Sequence, residues 1–478
     1  MNKISYILIT VLILSACTKP FDELNVNPKK PQTVPSETLF TNAQKEMSDQ
    51  VASTNVNLNN FKLWAQYWQE TTYLDESNYD MTTRSVPDNA WQEWYRNTIS
   101  DLTNCQQTIT TEAVIPGTEQ MVANQTAVAD LLILYSYQRL VDMFGNVPYS
   151  QAMQIESNLL PAYDDAWTIY ESLVDRLDND IAVLETNPSA GSFGSADLMY
   201  GGDVNNWIAF AYGLKLKLGM HIWEYDPTTS QQWVEDAAPH VFTSNAQNCK
   251  LDYLGATPNT NPLYVDLVLS GRQDFVACQT LTDTMNFYSD GRLAQYFTMN
   301  PDGEYTGGAP GEQTSYAANS HPGDKLIDPT FPCVLMSYDE VQFYLAEAAE
   351  RGYSVGGSAQ SFYENAINAS FEYWGASGAS DHLVTDDVAW GTGTHSNLQK
   401  IARESWVAFY NRGFLSWTQI RRLNFPLPLA AAPQDGVYPL RCTYPVNEQT
   451  LNGANYTQAA AAIGGDEAGT ALFWDLTQ

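Results

Sequence analysis

The chain has 478 residues, of which 44% are hydrophobic, so a large core is within reach. Lysine and arginine total 23 against 55 aspartates and glutamates, a formal charge of −32. A surface of that sign repels nucleic-acid phosphates and anionic lipid, which sets nucleic-acid binding aside and disfavours anionic polymers unless a local basic pocket overrides the mean field.

The first elements are targeting signals. Lys3 precedes an almost wholly apolar run from Ile4 to Leu14, the length of a signal-peptide core and short of the about 20 residues a membrane span needs. Leu14-Ser15-Ala16-Cys17 places small residues before a cysteine, the pattern at which bacterial lipoproteins are cleaved and diacylated. Residues 1–16 are therefore read as a signal peptide and Cys17 as the lipidation site; cleavage of an ordinary secreted protein nearby is the alternative. Residues 17–36 form a polar tether with four prolines between Thr18 and Pro35. Five further cysteines, Cys105, Cys249, Cys278, Cys333 and Cys442, show no metal-ligand spacing. They read as buried small apolar residues, with one disulfide left open.

The body, residues 37–478, reads as mainly helical. Ser36 to Asp49 forms a helix with Leu39 and Ala43 inward. Phe61, Trp64, Ala65 and Trp68 share one face of a second helix. Trp91, Trp94, Tyr95, Thr98, Leu102 and Cys105 share a face of a third, with Asp88 as its N-cap. The tryptophans read as core. The intervening loop, Thr71 to Pro87, is different: Tyr73 and Tyr79 stand among Asp75, Asn78 and Asp80 with no helical register. Exposed aromatic faces flanked by such groups can stack on a sugar ring and bond its hydroxyls, whereas tyrosines folded back would leave a plain solvated loop.

Helices follow over Ala123–Met143 and Pro161–Leu184, and Asp203 caps another that buries Trp207, Phe210, Ala211, Leu214 and Leu218. From about 243 to 332 glycine, proline, asparagine and aspartate dominate and the periodicity fails. A stretch this long inside a compact body reads as functional loop, with Tyr264, Arg272, Asp274, Phe275 and Tyr305 as its candidate ligand groups. Asn300 to Glu304 reads as a plain turn, lacking the alternating carboxylates of a calcium loop.

The clearest element runs from Ser337 to Trp374. Ser337 with Glu340 is a capping-box pair, and Val341, Tyr344, Leu345 and Ala348 follow at helical spacing. Gly352 and Gly356-Gly357 turn the chain into a second helix carrying Ala359, Tyr363, Ala366 and Ile367. The spacing Ala359–Tyr363–Ala366 matches the second helix of a tetratricopeptide repeat, and recurs at Ala166, Tyr170 and Leu173. Such pairs bury their faces only by stacking, so several are expected; two unrelated amphipathic helices are the alternative. Asn397 to Asn411 reads as helix ended by Gly413, followed by a turn or two over Trp417 to Leu423 and an irregular end over Tyr438 to Asp475.

Catalysis has little support. The five histidines form no H-E-x-x-H, and nothing positions Ser377, Asp381 and His382 as a triad. No cofactor is expected.

Trp406 to Arg422 (WVAFYNRGFLSWTQIRR), Pro439 to Glu448 (PLRCTYPVNE), Asn452, Asn455-Tyr456 and Phe473 to Asp475 together resemble SusD/RagB-type outer-membrane lipoproteins. Phe144 to Ala152, Pro161 to Tyr163, Met199 to Trp207 and Tyr338 to Gly352 fit in the same order, and Asp22-Glu23 is similar to surface-export signals of Bacteroidetes lipoproteins. The resemblance implies one mainly α-helical domain on a tetratricopeptide-like scaffold, lipid-anchored at the outer membrane and exposed at the cell surface. It implies a nutrient binder, not an enzyme, that hands oligosaccharide to a SusC-like TonB-dependent transporter; a peptide-binding lid of the RagB kind is the alternative. Arg421, Arg422, Arg441 and Glu448 are expected to form structural ion pairs. The family's ligand loops vary, so no binding residue carries over by motif.

Overall fold

The computed structural model describes residues 34–476 except 113, 155, 426 and 428–436. The predicted signal peptide, Cys17 and most of the tether lie outside the described residues.

Helix α1 (Ser36–Ala52) buries Phe40, Ala43 and Met47. Leu39, predicted to point inward, is only partly buried; Phe40 takes the core position and stacks on Phe193 with ring centroids 3.9 Å apart. The next apolar face breaks early. Helix α2 (Phe61–Trp64) stops, Gln66 adopts a left-handed backbone, and Trp68 opens a strand instead of closing a helical face. This strand, β1 (Trp68–Glu70), pairs antiparallel with β3 (Phe275–Ala277), and β2 (Cys249–Leu251) pairs with β4 (Cys333–Met336). The Trp68 indole donates to the Tyr410 hydroxyl at 2.9 Å. Contacts two hundred residues and more away thus override the local pattern.

Helix α3 (Val86–Gln92), a π-helical stretch (Glu93–Ile99) and α4 (Ser100–Thr111) follow without a break. Asp88 is not the N-cap. It lies inside the first turn, and its carboxylate accepts the main-chain N–H groups of Val446 and Asn447, both at 3.1 Å.

The rest of the scaffold is built of helix pairs. Helices α5 (Glu119–Phe144) and α6 (Ala166–Thr186) pack together, as do α7 (Val204–His221) and α8 (Pro227–Ala237), α9 (Tyr338–Glu350) and α10 (Ala359–Trp374), and α11 (Asn397–Ala408) and α12 (Gly413–Leu423). Asp165, Asp203, Asp226 and Ser358 cap four of them by accepting main-chain N–H bonds. Ser337 accepts from the Glu340 N–H, as expected, but the reciprocal half of the box is missing: the Glu340 carboxylate is buried and faces Lys217 and Arg412. The complete capping box is Ser396 with Gln399.

Gly413 starts α12 rather than ending α11. A Cβ there would lie 2.4 Å from the Lys62 nitrogen and 2.5 Å from the Phe61 carbonyl carbon, so the helix meets α2 backbone to backbone. The C-terminal segment is also more ordered than its composition indicated, with α13 (Val446–Leu451) and α14 (Gly453–Ala462). The 243–332 stretch holds short pieces, including β2, β3 and a helix over Gln279–Phe287, joined by turns; Asn300 makes a plain one, its Oδ1 accepting from Asp302 and Glu304. Together these elements form one mainly α, tetratricopeptide-like domain.

Trp64, Trp68, Trp94, Trp207, Trp374, Trp406, Trp417 and Trp474 are fully buried, so most tryptophans are core. The five described cysteines are buried and unbonded to one another. Arg422 pairs with Glu347, and Arg441 with Asp466 at 2.6 Å. Arg421 donates to the carbonyls of Asp142 and Leu440 and lies 3.4 Å over the Trp417 ring; burial lowers its pKa to about 10. Glu448 departs from expectation: it accepts the Tyr163 hydroxyl at 2.7 Å, and among the described residues no guanidinium pairs with it.

Candidate ligand-binding face

The pairing of β1 with β3 carries the loop after β1 to the side of the irregular segment. Thr71 extends the ladder, its N–H donating to the Asp274 carbonyl at 2.9 Å and its Oγ1 to the Gln273 carbonyl at 2.7 Å. The loop is then held from below. The Glu70 carboxylate accepts the Ser77 N–H at 2.9 Å and its hydroxyl at 2.8 Å. Burial, and then the neighbouring Glu76 carboxylate, push the Glu70 pKa up to about 9, so Glu70 keeps its proton at neutral pH. Arg84 pairs with buried Glu76 through its Nε. Asp80 accepts the N–H groups of Thr82 and Thr83, which lower its pKa against the opposing effect of burial.

Two tyrosines of this loop have opposite fates. Tyr73 and Tyr79 both take positive φ, 57° and 72°, a conformation costing a non-glycine residue about 1–3 kcal/mol unless its surroundings hold it there. For Tyr79 the return is packing: it is 4% exposed and meets Tyr438 edge-on at 5.5 Å. The expectation of an exposed Tyr79 is therefore corrected. Tyr73 is 68% exposed, and its conformation turns a ring outward. The Asp274 carboxylate favours the charged form of the Arg272 guanidinium, and the Tyr73 phenol lies nearby.

Beside Tyr73 lies a cleft of ≈ 280 Å³ whose walls include Thr54, Asn57, Arg84, Asp266, Arg272 and Asp274, with Phe275 at its base. Arg272 pairs with Asp274 through its Nε. Asp266 accepts the Thr54 hydroxyl at 3.0 Å, and burial raises its pKa. Behind this wall, Lys62 donates to the carbonyls of Ala52 and Ser53, both at 2.8 Å, and closes the C-terminus of α1; burial brings its pKa down to about 7.

The structure thus brings Tyr73, Arg272, Asp274 and Phe275 together and separates the other predicted ligand groups from them. Asp75 is exposed on the loop but is not a wall of the cleft. Asn78 is spent internally, donating to the carbonyls of Leu74 and Gly311. Tyr264 is half-buried just ahead of a π-helical turn (Val265–Leu269), and Tyr305 is half-buried against the core; neither lines the cleft. Arg84, Asp266 and the Thr54–Asn57 turn were not anticipated. Arg84 stands in the same polar loop as Tyr73, which was the available signal; the turn carries none.

A larger cleft of ≈ 590 Å³ runs along α1 past Thr38, Thr41 and Lys45, facing Leu198, Tyr253 and Leu254. Lys45 sits 5.5 Å from the Tyr253 ring centroid, and its ring is 4% exposed, so this cleft offers no open aromatic face. Asp290, His382 and Glu404 come close enough to hold a metal ion. The Arg292 guanidinium, however, already donates to Asp290 Oδ2 at 2.6 Å and Glu404 Oε2 at 2.9 Å, so the cluster is a compensated buried ion network. No described helix is long and apolar enough to cross a membrane.

A family model described as SusD-like, starch-binding and associating with the outer membrane, matches residues 28–445. The chain belongs to the SusD-like family. Among solved structures, a chitin-binding protein is 27% identical with a TM-score of 0.80, covering 92% of this chain and 100% of its own. A SusD homologue from Bacteroides uniformis is 25% identical with a TM-score of 0.78, covering 91% and 99%. A chitin-binding SusD homologue from Flavobacterium johnsoniae, 23% identical with a TM-score of 0.78 and covering 92% and 98%, shares the fold. No curated protein matches by sequence.

Proposed function

We propose that this SusD-like chain captures oligosaccharide at the cell surface through the face around Tyr73 and the adjoining cleft. The observation that carries the reading is the exposed Tyr73 ring, turned outward by a positive φ beside a cleft with fixed guanidinium and carboxylate groups. A flat apolar face next to rigid donors and acceptors is what a sugar ring needs, since its C–H faces stack and its hydroxyls bond. The family is one of binding proteins, not enzymes, and is associated with the outer membrane. We further propose that residues 1–16 are removed as a signal peptide, that Cys17 carries the lipid anchor, and that the captured glycan passes to a SusC-like TonB-dependent transporter. The chitin-binding relative supports a glycan as cargo.

Calorimetry of the purified chain against a panel of glycans and oligopeptides tests the cargo. Saccharide binding is expected; binding of peptides with silence across the glycans would replace the reading by that of a peptide-capturing lid. Cys17→Ser is expected to release the protein from membranes, and its continued sedimentation with the outer membrane would reject the anchor.

A further inference from the structure

Across this chain, cations are scarce and mostly consumed. Arg292 is bracketed by Asp290 and Glu404, Arg412 by Asp339 and Glu340, and Arg422 is matched by Glu347, all in the interior. Arg84 and Arg272 are used differently. Each is held by one carboxylate at its Nε alone, Glu76 for Arg84 and Asp274 for Arg272. Among the described residues, no hydrogen bond occupies the terminal nitrogens of either side chain. The two side chains are 32% and 61% exposed and line the same cleft.

From these positions we infer that the cleft takes a carboxylate-bearing sugar, a hexuronate unit of an acidic oligosaccharide, with Arg84 and Arg272 holding its carboxylate. This rests on the glycan reading above and names the cargo of that site. A guanidinium fixed at its Nε presents its other edge as a planar pair of donors, the match for a carboxylate. The charges that line the cleft balance: Arg84 and Arg272 stand against Asp266 and Asp274. The cleft is therefore a neutral patch on a chain of charge −32, where an incoming anion meets open donors without the repulsion it meets elsewhere. At ≈ 280 Å³ the cleft is near the lower end of ligand pockets, about 300–1,000 Å³, and fits one ring of a longer chain. Tyr73 adjoins it as a stacking face for that ring or its neighbour, and Asp266 and Asp274 remain as acceptors for hydroxyls.

The test compares oligogalacturonate and oligomannuronate with their methyl esters, by calorimetry on the purified chain. The ester keeps the ring and its hydroxyls and removes only the charge. An acid form is expected to bind at least about tenfold more tightly than its ester, and to weaken with added salt while the ester does not. Arg272→Gln, an exposed change that leaves buried Glu76 paired, should erase the difference between acid and ester while the thermal midpoint stays within a few degrees of the parent. Arg84→Lys, which keeps a charge against Glu76 but loses the fork, should reduce the difference. Equal affinity for acid and ester, a difference that survives Arg272→Gln, or no binding of either acid form would overturn the proposal. Binding of neutral glycans in any of those cases would leave glycan capture standing; silence toward every saccharide would remove both.

Discussion

The α9–α12 scaffold and the Tyr73 face use the same residue types to opposite ends. In the scaffold Arg422 and Arg412 are buried with their carboxylates: Arg422 bonds Glu347 at both terminal nitrogens, and Arg412 does the same between Asp339 and Glu340. Around Tyr73 the arginines are anchored by one edge and open at the other. Tyrosines divide likewise. Tyr344 and Tyr363 are sealed in the helix pair, whereas Tyr73 faces water. A polar group that has all its partners inside the fold supports the fold; one that keeps a free edge is available to something else.

If that division is right, changes in the scaffold should cost stability and spare binding. The largest effect is expected for Glu347→Gln. Glu347 is fully buried between Arg422 and Arg351, and the two guanidinium groups hold its pKa below the usual carboxylate range despite burial. Removing its charge leaves buried cations uncompensated, a loss of about 3–5 kcal/mol by urea denaturation, with ligand affinity unchanged in whatever remains folded. Tyr79→Ala comes next. Although it lies only six residues from Tyr73, it belongs with the scaffold, and losing its ring from beside Tyr438 should cost about 3 kcal/mol. Unimpaired stability in Tyr79→Ala would place this tyrosine with the binding face after all.

The third prediction concerns what holds the loop. Glu70 keeps a proton in the folded protein up to about pH 9, because burial and the Glu76 carboxylate oppose its ionisation, whereas the unfolded chain releases it near the ordinary value of 4.5. The native state therefore binds more protons between those values. Glu70's contribution to stability is full below the lower value and is lost as pH rises towards the upper one. Glu70→Gln has no proton to lose, so its denaturation midpoint should decline less than the parent's from about pH 5 to about pH 9. Parallel pH profiles for the two proteins would show that Glu70 holds no such proton.

These comparisons also explain which parts could be read from the sequence. Helix faces were legible because their period is local: Val341, Tyr344, Leu345 and Ala348, or Trp207, Phe210 and Leu214, declare a buried stripe within three turns. What depends on distant backbone was not. Trp68 continues the spacing of a helix but is drawn into a strand by Phe275 to Ala277, and Gly413 looks like a helix stop until α2 lies against it. Asp88 has the composition of a cap and serves as one, for a helix over three hundred residues away. The candidate face was half legible for the same reason. A polar loop with tyrosines is visible in the sequence, but its β1 partner decides which tyrosine turns out, and only folding brings Arg84 to Arg272.

The smallest effect is expected for Tyr73→Ala, and it bears most directly on the division. The ring is 68% exposed, and among the described residues no hydrogen bond holds it, so its removal should change stability by no more than about 0.5 kcal/mol. Alanine at φ 57° bears a strain similar to that of tyrosine, so the loop has no new reason to move. Ligand affinity should nevertheless fall by about 0.5–1.5 kcal/mol, the worth of one stacked ring beyond its area. Because the expected loss is near tenfold at most, the informative quantity is the ratio of the two effects. In Tyr79→Ala stability should fall and affinity persist; in Tyr73→Ala the order should reverse. If Tyr73→Ala binds like the parent, the open arginine edges act without an aromatic platform, and the stacking face lies elsewhere on the surface.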